Sequence, residues 1–208
     1  MVSKKELEII LSKLKGNPEP KPSLEQYIIP SHLAAEILNL ACLSGIIKNK
    51  TIADFGCETG VLAIGAQLLG AKEIIAVDID ENVLRIAKDN ANFAGKMSSN
   101  KTEIKFVNAD ISEWDGKVDT VIQNPPFGIQ KRHADRIFLE KALESAENIY
   151  SLHRSYEKSR DFIKNFVERR NGKVKNITTY KFRIPHMFRF HRRPKVEFDV
   201  DLFDIEVK

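Results

Sequence analysis

From Thr51 to Leu152, short apolar runs alternate with stretches of helical periodicity, and this alternation leaves few folds open. Thr51–Phe55, Ile74–Val77, Thr102–Val107, Val118–Gln123 and Asn148–Leu152 read as strands. Val61–Leu69, Asn82–Ala94 and Ile137–Ala146 read as helices between them. Buried strands joined by helices of this length build βαβ units, and so an α/β fold with a doubly wound, mostly parallel sheet. Ser155–Arg170 predicts a further helix. Lys173–Phe182 and Val196–Val207 close the chain as two strands with only an irregular basic loop between them. A loop without a crossover helix predicts antiparallel neighbours.

Upstream of this region, Met1–Gly16 has the Lys, Glu and Leu pattern of an amphipathic helix. The Pro-rich stretch Gly16-Asn17-Pro18-Glu19-Pro20-Lys21-Pro22 breaks it from the rest. Ser23-Leu24-Glu25-Gln26 has the form of a capping box opening a short helical turn. Ser31 is placed to cap a helix through Leu33, Ile37, Leu38 and Leu40 that ends near Gly45.

The 208 residues suit one domain over 1–208, with 1–30 as a helical N-terminal extension. No apolar run approaches the roughly 20 residues that span a bilayer. The N-terminus lacks signal-peptide character, and Cys42 and Cys57 suit neither a disulfide framework nor a zinc site. The chain is thus expected to be cytoplasmic and to hold no metal.

Net charge is only +4, yet no acidic residue lies between Arg169 and Val196, where ten Lys and Arg occur from Arg169 to Lys195. Such a block, interleaved with Tyr180, Phe182, Phe188, Phe190 and His191, suits an RNA backbone and its bases. Lys131, Arg132, Arg189, His191, Arg192 and Arg193 are the candidate RNA contacts. A solvated basic surface is the plainer alternative for such a run.

Asp54-Phe55-Gly56-Cys57-Glu58-Thr59-Gly60 ends the first strand of the alternation and opens a helix, where an open α/β sheet binds ligands. Gly56 allows a tight turn, and Gly60 lets the helix start close to a ligand. Helix N–H groups favour the carboxylate of a methionine-derived cofactor. Asp54 is placed to accept from its α-amino group, Asp78 from its ribose hydroxyls and Asp110 from its adenine amine. Asp80 reads as the cap of the following helix. For each acid alone, a loop carboxylate or helix cap explains the residue equally well. Three at successive strand ends favour the ligand.

The next strand delivers Asn124-Pro125-Pro126-Phe127. An exocyclic amine on adenine is a poor nucleophile, because its lone pair is delocalised into the ring. The Asn124 side-chain oxygen and the Pro125 carbonyl could accept its two hydrogens and localise that pair. Pro125 and Pro126 stiffen the turn and remove competing donors, and Phe127 can stack on the base. The two stretches together indicate methyl transfer from S-adenosylmethionine to a planar amino nitrogen.

These residues resemble class I methyltransferases with an Asn-Pro-Pro-aromatic motif. Leu24-Glu25-Gln26-Tyr27, Asp78-Ile79-Asp80-Glu81, Asn124 to Gly128, Tyr150-Ser151-Leu152-His153 and Phe190-His191 are similar to the methyltransferase-like group that makes N6-methyladenosine in small-subunit ribosomal RNA. The resemblance implies a seven-stranded fold, S-adenosylmethionine as donor and structured RNA as acceptor. It also implies a small zinc-ribbon activator pairing with the Thr102–Val107 sheet edge. By position, Gln26 and Tyr27 match the segment that closes over the cofactor, beside Asp54, Gly56, Gly60, Asp78 and Asp110. Glu58 stands where the family usually has glycine, and Ile129 to His133 departs from its pattern. A protein glutamine methyltransferase, also acting on a planar NH2, is the alternative enzyme. Those usually carry Tyr at the Phe127 position and a larger N-terminal helical domain. A non-catalytic RNA-binding scaffold is the alternative from another class.

Overall fold

A computed structural model describes residues 2–97, 102–128, 134–185 and 195–208. Its strands are β1 (Thr51–Phe55), β2 (Glu73–Asp78), β3 (Ile104–Asn108), β4 (Val118–Gln123), β5 (Ala146–Arg154), β6 (Gly172–Pro185) and β7 (Lys195–Val207). They form one seven-stranded sheet in the order β3-β2-β1-β4-β5-β7-β6. The first five in that order pair in parallel. β7 runs antiparallel to both neighbours, as the missing crossover helix requires.

Alternate strand residues serve opposite layers, as the two-residue repeat dictates. Ile52, Ile122, Tyr150 and Leu202 face α1 (Lys4–Leu11), α2 (Ser31–Leu43) and α3 (Val61–Leu68). Ala53, Val121, Ile149 and Phe203 face α5 (Ala134–Ser145) and α6 (Glu157–Glu168). α2 and α3 cross so closely that a Cβ on Gly65 would lie 2.2 Å from Leu38 Cδ1. α4 (Glu81–Gly95) links β2 to β3, and Leu84 and Ala94 join the first layer.

Three local expectations change. The first helix spans only Lys4–Leu11, because Ser3 and Glu6 form a reciprocal capping box that fixes its start. Ser31 is the first helical residue rather than the cap; Pro30 occupies the cap and offers no side-chain bond. The turn at Pro22–Leu24 has no side-chain cap, so Ser23 opens no capping box. Gln26 bonds elsewhere, as described below, and Glu25 turns left-handed at φ 49°. None of the helices among the described residues is long and apolar enough to cross a membrane.

Candidate active site

The chain winds outward from β1 to β2 on one side and β4 on the other, which opens a crevice at the carboxyl ends of β1 and β4. Phe55 pairs with Gln123, so Gly56 and Asn124 leave the sheet side by side. Gly56 and Cys57 donate backbone N–H bonds back to the Val77 carbonyl at 2.9 and 3.0 Å, folding the turn over β2. Gly56, Glu58 and Gly60 have φ of 68°, 49° and 85°. Glu58 holds a conformation that glycine adopts without cost.

A cleft of about 440 Å³ occupies this crevice, within the range of about 300–1,000 Å³ usual for small-molecule sites. Of the residues expected here, Gln26, Tyr27, Gly56, Asp78, Asp110, Asn124 and Pro126 line it, joined by Glu25, Glu58, Ile137 and Phe138. Asp54, Gly60, Pro125 and Phe127 are not among the lining residues. A wider groove of about 800 Å³ lies at the opposite, amino ends of β1–β3, beside Lys48, Lys72 and Thr102. It brings none of the expected site residues together.

Asp78 Oδ2 accepts from the Glu58 N–H and Oδ1 from the Asp80 N–H, both at 2.9 Å. Asn108 donates to the Asp78 and Ile79 carbonyls from the neighbouring strand. Asp54 Oδ2 accepts from the Ala63 N–H at 2.9 Å, tying β1 to the first turn of α3. Its Oδ1 is buried without a partner, as is Glu58 Oε1. Burial pushes the Asp54 carboxyl up to about 8 against the pull of the Ala63 N–H, with Asp78 and Glu58 adding repulsion. Burial likewise pushes Glu58 up to about 7, and raises Asp78. Asp110 caps a turn at Ile111–Glu113 by accepting from Ser112 N–H.

Ser23 to Tyr27 of the N-terminal segment form one wall of the cleft. Gln26 Oε1 accepts from Lys21 N–H and Asn17 Nδ2, and its Nε2 donates to Asp80 Oδ2 at 3.0 Å. Lys21 Nζ meets the same carboxylate at 2.8 Å. Burial opposes the Asp80 charge, but the bonds from Lys21 and Gln26 outweigh it and hold the carboxyl below its usual range. Asp80 also caps α4 as expected. The amide of Gln26 is thus engaged in fastening this segment to α4.

Asn124 Nδ2 donates to the Tyr27 carbonyl at 3.2 Å. That bond fixes the amide, and its Oδ1 is buried with no partner. Phe127 packs half-buried among Tyr27, Phe182 and Phe198, with ring centres 6.3, 5.7 and 5.6 Å away.

The family model of the ribosomal protein L11 methyltransferase (PrmA) matches residues 34–126, from α2 to the end of the Asn-Pro-Pro turn. The rRNA N(6)-adenosine-methyltransferase METTL5 of Danio rerio is 35% identical over 204 residues, covering 95% of this chain and 95% of its own. The chain belongs to the METTL5 family. Its Drosophila melanogaster relative is 28% identical, covering 98% and 96%. The crystal structure of a Pyrococcus horikoshii protein, provisionally named an RNA methyltransferase, matches with a TM-score of 0.90 and 42% identity over 100% of both chains.

In this METTL5-family chain the candidate RNA contacts Lys131, Arg132, Arg189, His191, Arg192 and Arg193 lie outside the described residues. Within the described part, the basic block is not one free face. Arg170 pairs with Glu140 at 2.6 Å, Lys175 with Asp204 at 3.5 Å and Lys181 with Asp199 at 2.7 Å. Phe182 is fully buried rather than offered to a base.

A buried chain of polar groups went unread in the sequence. Gln123 Nε2 donates to Ser151 Oγ at 2.9 Å, and Ser151 Oγ meets His153 Nε2 at 2.8 Å. His153 Nδ1 lies 3.4 Å from Asp135 Oδ2. These contacts run from the residue before Asn124 to the start of α5. A histidine and a serine on one face of an apolar strand were the signal available.

The carboxyl cluster sets a pH dependence. Between the ordinary Asp value of 3.8 and about 8, folded Asp54 retains a proton that the unfolded chain has released. Its contribution to stability therefore falls as pH rises through that window. In urea denaturation without cofactor, Asp54→Asn is expected to gain on the wild type between pH 5 and pH 8. A constant difference across that range would refute the assignment.

Proposed function

We propose that this chain uses S-adenosylmethionine to methylate the N6 amine of an adenosine in structured RNA, with small-subunit ribosomal RNA as the substrate. The observation that carries this reading is the Asn124 amide, anchored through its nitrogen, with a buried and unpartnered oxygen at the wall of the cleft. An acceptor held in this way is preorganised for an incoming N–H. A buried acceptor left without one costs about 1–3 kcal/mol.

The cleft fits the cofactor by its donor set. The orphaned oxygens of Asp54 and Glu58 suit an α-ammonium group, and binding a cation there would draw both carboxyls back to their ionised forms. Asp78 faces the cleft for the ribose hydroxyls and Asp110 for the adenine amine, with Gly56 and Gly60 shaping the turn around the methionine end. Gln26 and Tyr27 hold residues 1–30 over the site as a lid. When bound, the cofactor supplies an electrophilic methyl group on a sulfonium. Asn124 Oδ1, with the Pro125 carbonyl, accepts from the N6 amine and localises its lone pair toward that methyl. Pro125 and Pro126 keep the turn rigid, and Phe127 stacks on the base. The methylated nitrogen then releases its proton to water, so no side chain need act as a base. Lys131, Arg132, Arg189, His191, Arg192 and Arg193 hold the RNA backbone.

Tritiated S-adenosylmethionine offered with small-subunit RNA, total tRNA, DNA and a release-factor-like protein tests this, with nucleosides resolved by mass spectrometry. N6-methyladenosine from ribosomal RNA is the expected product. Label in the protein would move the reading to glutamine methylation, and label nowhere to a scaffold.

A small zinc-ribbon protein is further proposed as a partner that adds a strand to β3. β3 is an edge of the sheet, with Glu103 and Lys105 exposed and Ile104 turned inward. Exposed edges pair readily with a second chain. Gel filtration with that protein should show co-elution, lost in Ile104→Pro. Equal co-elution of both would exclude this edge.

A further inference from the structure

We infer that Arg154 and Tyr156 form a platform for an RNA nucleotide flanking the target adenosine, an inference that rests on the RNA-methyltransferase reading above. β5 ends at Arg154, on the same carboxyl edge from which Asn124 emerges, since Gln123 pairs with Ser151. The Arg154 guanidinium carbon lies 4.9 Å from the centre of the Tyr156 ring and 5.1 Å from that of Phe198. The cation is thus held between two aromatic faces. Among the described residues, no carboxylate is in ion-pair contact with it, in contrast to Arg160 nearby. Its N–H donors suit a phosphate.

Tyr156 is 52% exposed and makes no capping bond at the start of α6. A large ring left on the surface beside a cation is what a nucleobase stacks upon, and every base has a π face to offer. The Phe198 ring continues to Phe127 at 5.6 Å. Phe127, Phe198, Arg154 and Tyr156 therefore form one row leading outward from the acceptor motif. A nucleotide beside a displaced adenosine would meet Tyr156 with its base and Arg154 with its phosphate. The platform fixes position and is tolerant of sequence.

The test uses the full chain and a ribosomal RNA fragment carrying the methylated adenosine, with 2-aminopurine at each flanking position in turn. Wild type is expected to quench one of these. Tyr156→Ala should lose the quench and weaken RNA binding about tenfold, with an unchanged salt slope, while Tyr156→Trp keeps both. Arg154→Ala should lower the slope of log affinity against log salt by about one. Calorimetric binding of S-adenosylhomocysteine should be unaltered in each variant. If Tyr156→Ala binds and quenches as the wild type does, or Arg154→Ala keeps the full salt slope, the platform is overturned. If the wild type methylates no RNA, the underlying reading fails instead.

Discussion

Asn124→Ala is expected to lower methyl transfer to RNA by about 10²–10³-fold, by analogy with removal of one preorganised electrostatic contact from a transition state. Cofactor binding, followed by calorimetry, should change by no more than about twofold. The asymmetry follows from the geometry. Asn124 Oδ1 has no partner in the protein, so its deletion breaks no internal bond. The Nδ2 bond to the Tyr27 carbonyl is long at 3.2 Å, and Gln26 and Lys21 hold the same segment to Asp80 independently. Asn124→Asp keeps an oxygen but loses the donor to Tyr27, and should retain more activity than the alanine variant. Cofactor affinity falling in step with activity would reassign Asn124 to the lid.

The second large effect is on stability. Phe182 has no exposed surface and meets Phe127 edge-on at 5.7 Å and Phe198 nearly stacked at 5.5 Å. Phe182→Ala should cost about 3–5 kcal/mol, a fall in melting temperature of roughly 6–20 °C. Phe198→Ala, at a half-buried position, should cost less. Loss of Phe182 also removes the ring that backs Phe127, so RNA methylation should suffer even at temperatures where the variant stays folded. A melting temperature within 2 °C of the wild type, in a scan that resolves about 0.5 kcal/mol, would show that the cluster packs differently.

What the sequence disclosed, and what it hid, follows the range of the interactions. β1, β4 and the mostly parallel sheet were legible because each strand is a short apolar run and each crossover has helical length. The Asp80 cap was legible because its partner, Asn82, is two residues away. Ser31 misled because a serine before an apolar stretch has the composition of a cap, whereas the backbone enters the helix one residue earlier, at Pro30. Gln26 lines the cleft where the sequence placed it, but the bond of its amide to Asp80, 54 residues distant, has no local signature. Asp110 lines the cleft and also caps its own turn through Ser112, two residues away. The link from Gln123 through Ser151 and His153 to Asp135 joins three elements, of which the local pattern shows only Ser151 and His153 on one face of β5. Phe182 looked like one of the aromatics for RNA, because a basic stretch in sequence need not be a basic face in space.

The strand order has a consequence for how the protein is made. β7 follows β6 in the chain but lies between β5 and β6 in the sheet. While a ribosome is still synthesising the chain, β6 therefore has no sheet neighbour, and β5 stands open along one side. The cofactor turn and the Asn-Pro-Pro segment emerge earlier and can assemble on β1 and β4. The nascent protein can thus hold half of its cleft in shape before the last strand zips between its neighbours. During that interval the open side of β5 is its exposure to mispairing and to chaperones.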